Sequence, residues 1–485
     1  MTILRTLLAL SALTLTLRPA TLRAQTDGTA PAGHPQTANG TRDPGEQSPA
    51  LTEAAPLATN PSLARSTTSS PATEPPPPAP ASLQGQPSPQ ARPSAASPSH
   101  ARATKGTPEA PGFQGFTIPP QVEGYSIKLG GLVQADSRFF ASGGDGLDTF
   151  VVRRARLDLR ATLGRYFGFR LQPELAGSSV TLLDAYGQVA PIDELQLQIG
   201  KMKSPLGLEV LQSPRDTLFT ELGLPGLLVP NRDVGVMLKG SLFARTAEYA
   251  LGVFNGVADG ANGDVDDGND KELEGRLFLK PLLHAGLPAL AGLGAGLSGS
   301  LGKQGGALPS YKTPGRQTFF SYAEGVKAAG AHGRLSPQGY YFYGPVGVLA
   351  ELVRSTQEVS DGVSTARVAS SAWQVWGSLV LGGSPSYTGT KVKAAFDPGS
   401  NTWGALELGL RYGELQSGRR AFKRQWASSQ KSARRARNFG AALSWWLLTG
   451  TRAQVAFDHT AFDGGDVNAD RQTENVLVAR LQVAL

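Results

Sequence analysis

The chain has 485 residues, with 46 Lys or Arg against 39 Asp or Glu, so its formal net charge is +7. A hydrophobic fraction of 40% is too low for a protein that crosses a membrane with many helices. The sequence contains no cysteine, which excludes a disulfide framework and thiolate chemistry.

Residues 1–24 have the composition of a secretory signal. Arg5 gives a positive start, residues 7–17 form a short apolar core, and residues 22–24 end in Ala as cleavage sites do. The apolar core is too short to span a bilayer comfortably, so cleavage is preferred over a membrane anchor.

Residues 25–112 are rich in Pro, Ala, Ser and Thr and carry few large apolar side chains. Such a segment cannot bury enough surface to offset its chain entropy, which predicts a disordered periplasmic linker with polyproline-II character. A plain linker is favoured over a tether that contacts peptidoglycan.

The region 113–485 alternates strands and turns. Within residues 151–162, apolar side chains from Ala155 onward alternate with charged or polar ones, and residues 166–175 and 403–412 repeat the pattern. A period of two with one apolar and one polar face is typical of a membrane barrel strand. We therefore predict an all-β fold, a transmembrane antiparallel barrel of about sixteen strands of about 10 residues each.

Four arginines lie on the polar faces of these strands. A charge on the lipid face at the bilayer midplane costs roughly 2–4 kcal/mol, so these side chains are expected to face a water-filled lumen. Pairing with nearby carboxylates such as Asp158 is the alternative role for each of them. They are Arg154, Arg156, Arg160 and Arg170.

Residues 282–301 are apolar for long enough to suggest a helix. Pro288 and many glycines interrupt them, so a turn followed by a strand of small residues is preferred.

Residues 200–240 are the least strand-like part of this region and contain several prolines. A stiff insert after the fifth strand is expected to fold into the lumen, where its cations would lie at the narrowest point and set selectivity. The basic residues concerned are Lys201, Lys203, Arg215, Arg232 and Lys239.

Aromatic runs at 319–322, 340–343 and 445–446 predict girdles at the membrane interfaces rather than a sugar-stacking surface. The acidic segment 259–270 predicts a solvated surface loop, because it lacks the full spacing of a helix–loop–helix calcium site. No metal or other cofactor is expected. Residues 474–485 alternate strictly and predict a final half-exposed strand.

An ordered set of motifs resembles the phosphate-selective porin family, the porin O and porin P group. They are RRARL (153–157), GKMKSPLGLE (200–209), SPRD (213–216), PNRDVGV (230–236), FNG (254–256), RLFLKP (276–281), RLSPQGYYFYGP (334–345), FDPGSNTWGALELGLRYGEL (396–415) and ENVLVARLQVAL (474–485). The resemblance implies a trimeric sixteen-stranded barrel with loop 3 folded inside. It also implies anion passage along a ladder of arginines to a constriction lined by lysines.

The resemblance carries over to individual residues. Lys201 and Lys203 fall where the family's fifth strand enters the constriction loop, and Arg154, Arg156 and Arg170 fall where basic wall residues would lie. Arg215 and Arg232 lie in matched motifs, although ion pairs with Asp216 and Asp233 also explain them. Leu485 departs from the aromatic residue that usually ends such barrels, and this bears on recognition by the barrel-assembly machinery.

The predicted function is passive diffusion of small anions, including phosphate or polyphosphate, across a bacterial outer membrane. Expected partners are these anions, outer-membrane lipid and lipopolysaccharide, the barrel-assembly machinery and two further copies of the chain, but no nucleic acid. The alternatives are a general or sugar-type diffusion porin and an envelope tether. An enzyme is not predicted, because His284, His332 and His459 have no accompanying serine-nucleophile motif.

Overall fold

A computed structural model describes residues 116–118, 124–142, 146–264, 268–467 and 469–485. The predicted signal and linker, 1–24 and 25–112, lie outside the described residues. All described residues belong to one unit of the chain, Ser97–Leu485.

One antiparallel sheet of 17 strands closes into a barrel. Its 16 ring strands are Ser126–Ser142 (β1), Thr149–Leu163 (β2), Phe167–Glu174 (β3), Thr181–Ile192 (β4), Leu195–Lys203 (β5), Arg232–Leu242 (β6), Ala247–Phe254 (β7), Glu272–Leu279 (β8), Leu293–Gly306 (β9), Lys327–Tyr343 (β10), Val346–Ser360 (β11), Thr365–Leu381 (β12), Ala405–Gln416 (β13), Ala433–Leu448 (β14), Thr451–Gly464 (β15) and Glu474–Ala484 (β16). β1 pairs with β16 to close the ring, and the extra strand, Phe116–Ile118, continues the line of β16 along β1.

The alternation of apolar and polar residues determines which side of each strand faces outward. On β13, Leu406, Leu408 and Leu410 are 45–50% exposed on the outer surface, whereas Glu407 and Arg411 are 4% and 2% exposed. An apolar outer face suits contact with lipid, and charges turned inward suit a polar lumen. The predicted all-β barrel is confirmed. Among the described residues, no helix is both long and apolar enough to cross a bilayer.

The two ends of the barrel differ in the length of their connections. Turns such as 164–166, 193–194 and 449–450 are short and lie at one end, the short-turn end. Two longer connections, 280–292 and 382–404, lie at that same end. In barrels of this kind the short turns face the periplasm and the long loops face outward. The turn and strand predicted within 282–301 are confirmed, because β9 begins at Leu293.

Three connections of the opposite, long-loop end contribute to an apolar core inside the barrel. They are loop 3 (204–231), the β9–β10 connection (307–326) and the β13–β14 connection (417–432). Leu228, Phe319 and Trp426 of these loops pack with inward side chains of β11–β15 such as Val353 and Phe462. The predicted inward folding of loop 3 is confirmed. The short helices Leu208–Leu211 (α1) and Arg419–Lys423 (α2) lie within two of these loops.

Two surface predictions are wrong in part. Phe319 and Phe320 are 0% and 1% exposed and belong to the inner core, and Trp446 faces inward, donating to Glu407 Oε2 at 2.8 Å. Adjacent aromatic residues on a strand point to opposite faces, so a run cannot form a girdle as a whole. Asp259, the first residue of the acidic segment, is buried because Arg334 Nε donates to it at 2.7 Å.

Candidate functional site

The four predicted arginines form one inward-facing group on β2 and β3, here called the arginine wall. Their guanidinium groups all contact carboxylates: Arg156 Nε lies 2.7 Å from Glu174 Oε2, and Arg160 Nη2 lies 3.1 Å from Asp158 Oδ2. Strand alternation explains the shared direction, because Arg154, Arg156 and Arg160 are separated by even numbers of residues.

Arg170 connects the wall to the neighbouring strand. Its Nη2 lies 2.7 Å from Asp158 Oδ2 and its Nη1 lies 2.9 Å from Asp184 Oδ2 on β4. Asp184 also accepts a hydrogen bond from Arg232 Nε at 2.8 Å. The suggested pair between Arg232 and Asp233 is therefore wrong, since pairing across strands brings Asp184 to Arg232.

The carboxylate of Asp233 binds backbone groups and, among the described residues, no arginine side chain. It accepts backbone hydrogen bonds from Val234 and Gly256, both at 2.7 Å, and so fixes the end of β7 against β6. The other suggested pair does form, with Arg215 Nε 3.1 Å from Asp216 Oδ1 inside loop 3.

The predicted lysines have three different environments. Lys203 Nζ donates to the carbonyls of Val210 and Gln212 at 2.7 and 2.6 Å, which fastens the first turn of loop 3. Lys201 forms an ion pair with Asp264. Lys239 lies on the inward face of β6, and in the part of the chain that the structure describes neither Lys203 nor Lys239 forms an ion pair.

Loop 3 crosses the barrel and is fastened to inward side chains of β13, β15 and β16. Side chains there donate to its backbone carbonyls: Arg411 to Glu221 at 2.8 Å, Arg452 to Thr217 at 2.8 Å, Gln454 to Leu218 at 2.7 Å and Gln482 to Arg215 at 2.9 Å. A buried carbonyl needs such donors because no water reaches it. Only their inward positions on alternating strands mark these residues in the sequence.

Glu221 of loop 3 forms ion pairs with arginines of β1 and β2. It accepts from Arg138 Nη2 at 3.1 Å and from Arg153 Nη2 at 2.9 Å. Burial alone would raise the pKa of Glu221, but the charge and hydrogen bonds of Arg153 outweigh burial and hold this pKa well below its usual range. An irregular pairing between β1 and β2, at Gln134, lets both Arg153 and Arg154 reach inward.

Solvent reaches the arginine wall more than it reaches the arginines of β13 and β16. The Arg156, Arg160 and Arg170 side chains are 10–17% exposed, whereas those of Arg411 and Arg480 are 1% and 0% exposed. The open part of the lumen therefore lies between loop 3 and β2–β6, and the remainder is filled by loop 3 and the apolar core.

A pair of buried carboxylates holds loop 3 at a second point. Glu209 of α1 and Glu351 of β11 both accept from the Gln374 amide nitrogen at 2.8 Å. Glu351 also accepts from the backbone of Leu208 at 2.6 Å. Gly223 approaches so closely that a Cβ there would lie 1.6 Å from the Gln374 Oε1, which excludes a larger residue. This contact was not predicted.

The connection 382–404 enters the barrel from the short-turn end and meets loop 3. The Tyr387 hydroxyl donates to the Leu208 carbonyl at 2.7 Å, and the Gln212 amide donates to the Tyr387 carbonyl at 2.7 Å. The narrow region is thus built from both ends of the barrel.

A closed sixteen-stranded antiparallel barrel with an apolar exterior, a charged lumen and an inward-folded loop defines an outer-membrane porin. The sequence profile of the family described as "Phosphate-selective porin O and P" matches residues 127–485, and the chain belongs to that family. The protein is a multi-pass β-barrel of the bacterial outer membrane.

Comparison with solved structures gives similar barrels at low sequence identity. The anion-selective porin from Comamonas acidovorans is 15% identical, with a TM-score of 0.49 over 74% of this chain and 100% of that chain. The outer membrane channel DcaP of Acinetobacter baumannii is 13% identical, with a TM-score of 0.49 over 74% and 97% of the two chains. No curated protein sequence matches the chain significantly.

Proposed function

We propose that the protein is a passive channel for small anions, which pass between loop 3 and the arginine wall. One observation carries the proposal: Lys239 faces this space and forms no ion pair with a described carboxylate. Lys203, which is bonded to backbone carbonyls of loop 3, also forms no ion pair with a described residue, so both lysines add to the positive charge of the nearby arginines. Inward cations attract anions and replace part of their lost hydration.

The candidate anion-binding residues form two groups: those that only face the lumen and those that also hold loop 3 in place. Arg160, Arg170 and Lys239 combine solvent access with an inward position. Lys203 and Arg215 also fasten loop 3, so their effect on anions is coupled to loop position. Several moderate sites suit conduction better than one deep site, because the anion must also leave.

Phosphate or polyphosphate is the finer assignment that we propose. Guanidinium groups hold phosphate oxygens in pairs, and several arginines along one wall would pass a phosphate from one to the next. The test is the single-channel reversal potential in a salt gradient, measured first with chloride and then with phosphate. A stronger anion preference in phosphate than in chloride supports the phosphate assignment. A cation preference in both salts refutes the proposed anion channel.

General diffusion is the second candidate. The observation that favours it is the pairing of Arg156, Arg160 and Arg170 with Glu174, Asp158 and Asp184, which neutralises much of the wall's charge. Swelling of liposomes in uncharged sugars of increasing size separates the two candidates. Fast swelling without a reversal potential would favour general diffusion.

We also propose a homotrimer in contact with outer-membrane lipid and lipopolysaccharide, inserted by the barrel-assembly machinery, without catalytic activity. Cross-linking of the purified protein tests the number of copies. Deleting 25–112 without loss of conductance would argue against a channel that depends on the tail.

A further inference from the structure

The β13–β14 connection and the start of β14 carry an unusual concentration of positive charge. Within residues 419–437 eight side chains are Lys or Arg and none is Asp or Glu. Six of them are exposed at the long-loop end, and no described carboxylate forms an ion pair with them. These six residues, here called the basic rim, are Arg419, Arg420, Lys423, Arg424, Lys431 and Arg434.

The basic rim has a fixed backbone. Ala421 and Trp426 are 0% and 2% exposed in the inner apolar core. Trp426 Nε1 donates to Asp361 Oδ2 at 2.8 Å, and Arg424 Nη1 donates to Ser364 Oγ at 2.9 Å, both in the β11–β12 turn. Because the segment is anchored at these points, its cations are held as a group before any ligand arrives.

The space beneath the basic rim is not the open part of the lumen. Trp426 and Ala427 pack with Phe320, Leu415 and Val368 in the inner core, which fills the barrel at this position. The arginine wall belongs to β2 and β3, whereas the basic rim lies above β12–β14. The basic rim is therefore poorly placed to guide ions into the passage.

The outer surface below the basic rim marks the edge of the apolar band. Trp373 and Tyr412 face outward with ring centroids 5.6 Å apart, and Phe439 faces outward on β14. Two residues further toward the long-loop end, Arg437 replaces the apolar side chains on the same outward face. Aromatic belts mark the level of lipid headgroups, so the basic rim stands at or just above that level.

We propose that the basic rim binds the phosphate groups of a phosphorylated lipid of the outer leaflet, such as lipid A, an inference that rests on the outer-membrane location and the lipopolysaccharide contact proposed above. The six cations form no ion pair with a described carboxylate, belong to a segment anchored by Trp426, and lie directly above the apolar band, which is where such phosphates lie. Lys and Arg near an anionic lipid surface each add attraction, and several together hold a multiply charged headgroup.

The test uses the full chain purified in a neutral detergent and lipid A carrying two phosphates as the probe. The variant Lys423→Gln/Lys431→Gln/Arg434→Gln removes three rim cations. The control Arg165→Gln/Arg245→Gln/Lys393→Gln removes three exposed cations at the short-turn end. We expect the rim variant to bind lipid A at least about tenfold more weakly than the control, by native mass spectrometry. Monophosphoryl lipid A should bind less tightly than the two-phosphate form.

Equal lipid A affinity in the rim variant and the control overturns the proposal, as does equal affinity for the two lipid forms. A rim variant that loses binding of inorganic phosphate but keeps lipid A identifies a free-phosphate site and also overturns it. Single-channel reversal potential should be the same in both variants. A change in the rim variant alone would place these cations on the ion path instead. Both variants must keep the heat-dependent gel shift of a folded barrel.

Discussion

Replacing Lys239 with Gln should weaken anion preference without leaving a buried carboxylate unpaired. Lys239 faces the lumen from β6, and no described acid forms an ion pair with it. An anion that passes about 5 Å from a unit charge gains about 0.8 kcal/mol at a dielectric constant of about 80 and about 3 kcal/mol at about 20. The chloride-to-potassium permeability ratio should therefore fall by at least about fourfold.

The assay is the reversal potential of single channels in a potassium chloride gradient. Lys239→Arg should keep the ratio because it keeps the charge, and Lys393→Gln at the short-turn end should leave it unchanged. The difference should shrink in about 1 M salt, where the Debye length is about 3 Å. If Lys239→Gln retains the original ratio at low salt, the passage does not run beside β6 and our assignment of it is wrong.

Three further predictions concern loop 3. Glu221→Gln should raise anion preference by freeing Arg153 from its carboxylate, while Arg138 keeps Asp136. It should also lower the temperature of the gel shift, because breaking a buried ion pair costs roughly 3–5 kcal/mol. Burial raises the pKa of Asp216 to about 6, against the opposing charge of Arg215. As the pH falls through about 6 this carboxylate gains a proton and loses its negative charge, so anion preference should rise, and Asp216→Asn should remove that step. Arg452→Met leaves the Thr217 carbonyl without its donor, at a cost of about 1–3 kcal/mol, and should make single-channel current noisier, whereas Lys303→Met on the outer surface should not.

Strand alternation made the barrel predictable from sequence, because lipid and water select opposite faces of each strand. The final strand and the inward direction of Arg154, Arg156 and Arg160 followed from this alone. The prolines of 204–231 also indicated that this insert does not continue the sheet, and the structure confirms that it folds inward.

Contacts between distant segments could not be read in the same way. Arg232 pairs with Asp184, 48 positions away, rather than with its neighbour in sequence. Phe319 and Phe320 look like interface residues in sequence, yet they pack with side chains of β11–β15 because their loop turns inward. Arg153 enters the lumen only because of the irregular β1–β2 pairing, and a strict alternation would place it outside. Each case depends on strand pairing or on where a loop lies in space, and periodicity encodes neither.

The hydrogen bonds that hold loop 3 have a consequence for the order of assembly. Loop 3 ends at residue 231, whereas the donors to its carbonyls include Arg411, Arg452, Gln454 and Gln482 from the last third of the chain. The loop cannot take its final position until β13–β16 have been added and β16 has paired with β1. The narrowest part of the pore is therefore completed last, and a chain that stalls before its final strand would lack both the closed ring and the Gln482 donor to loop 3.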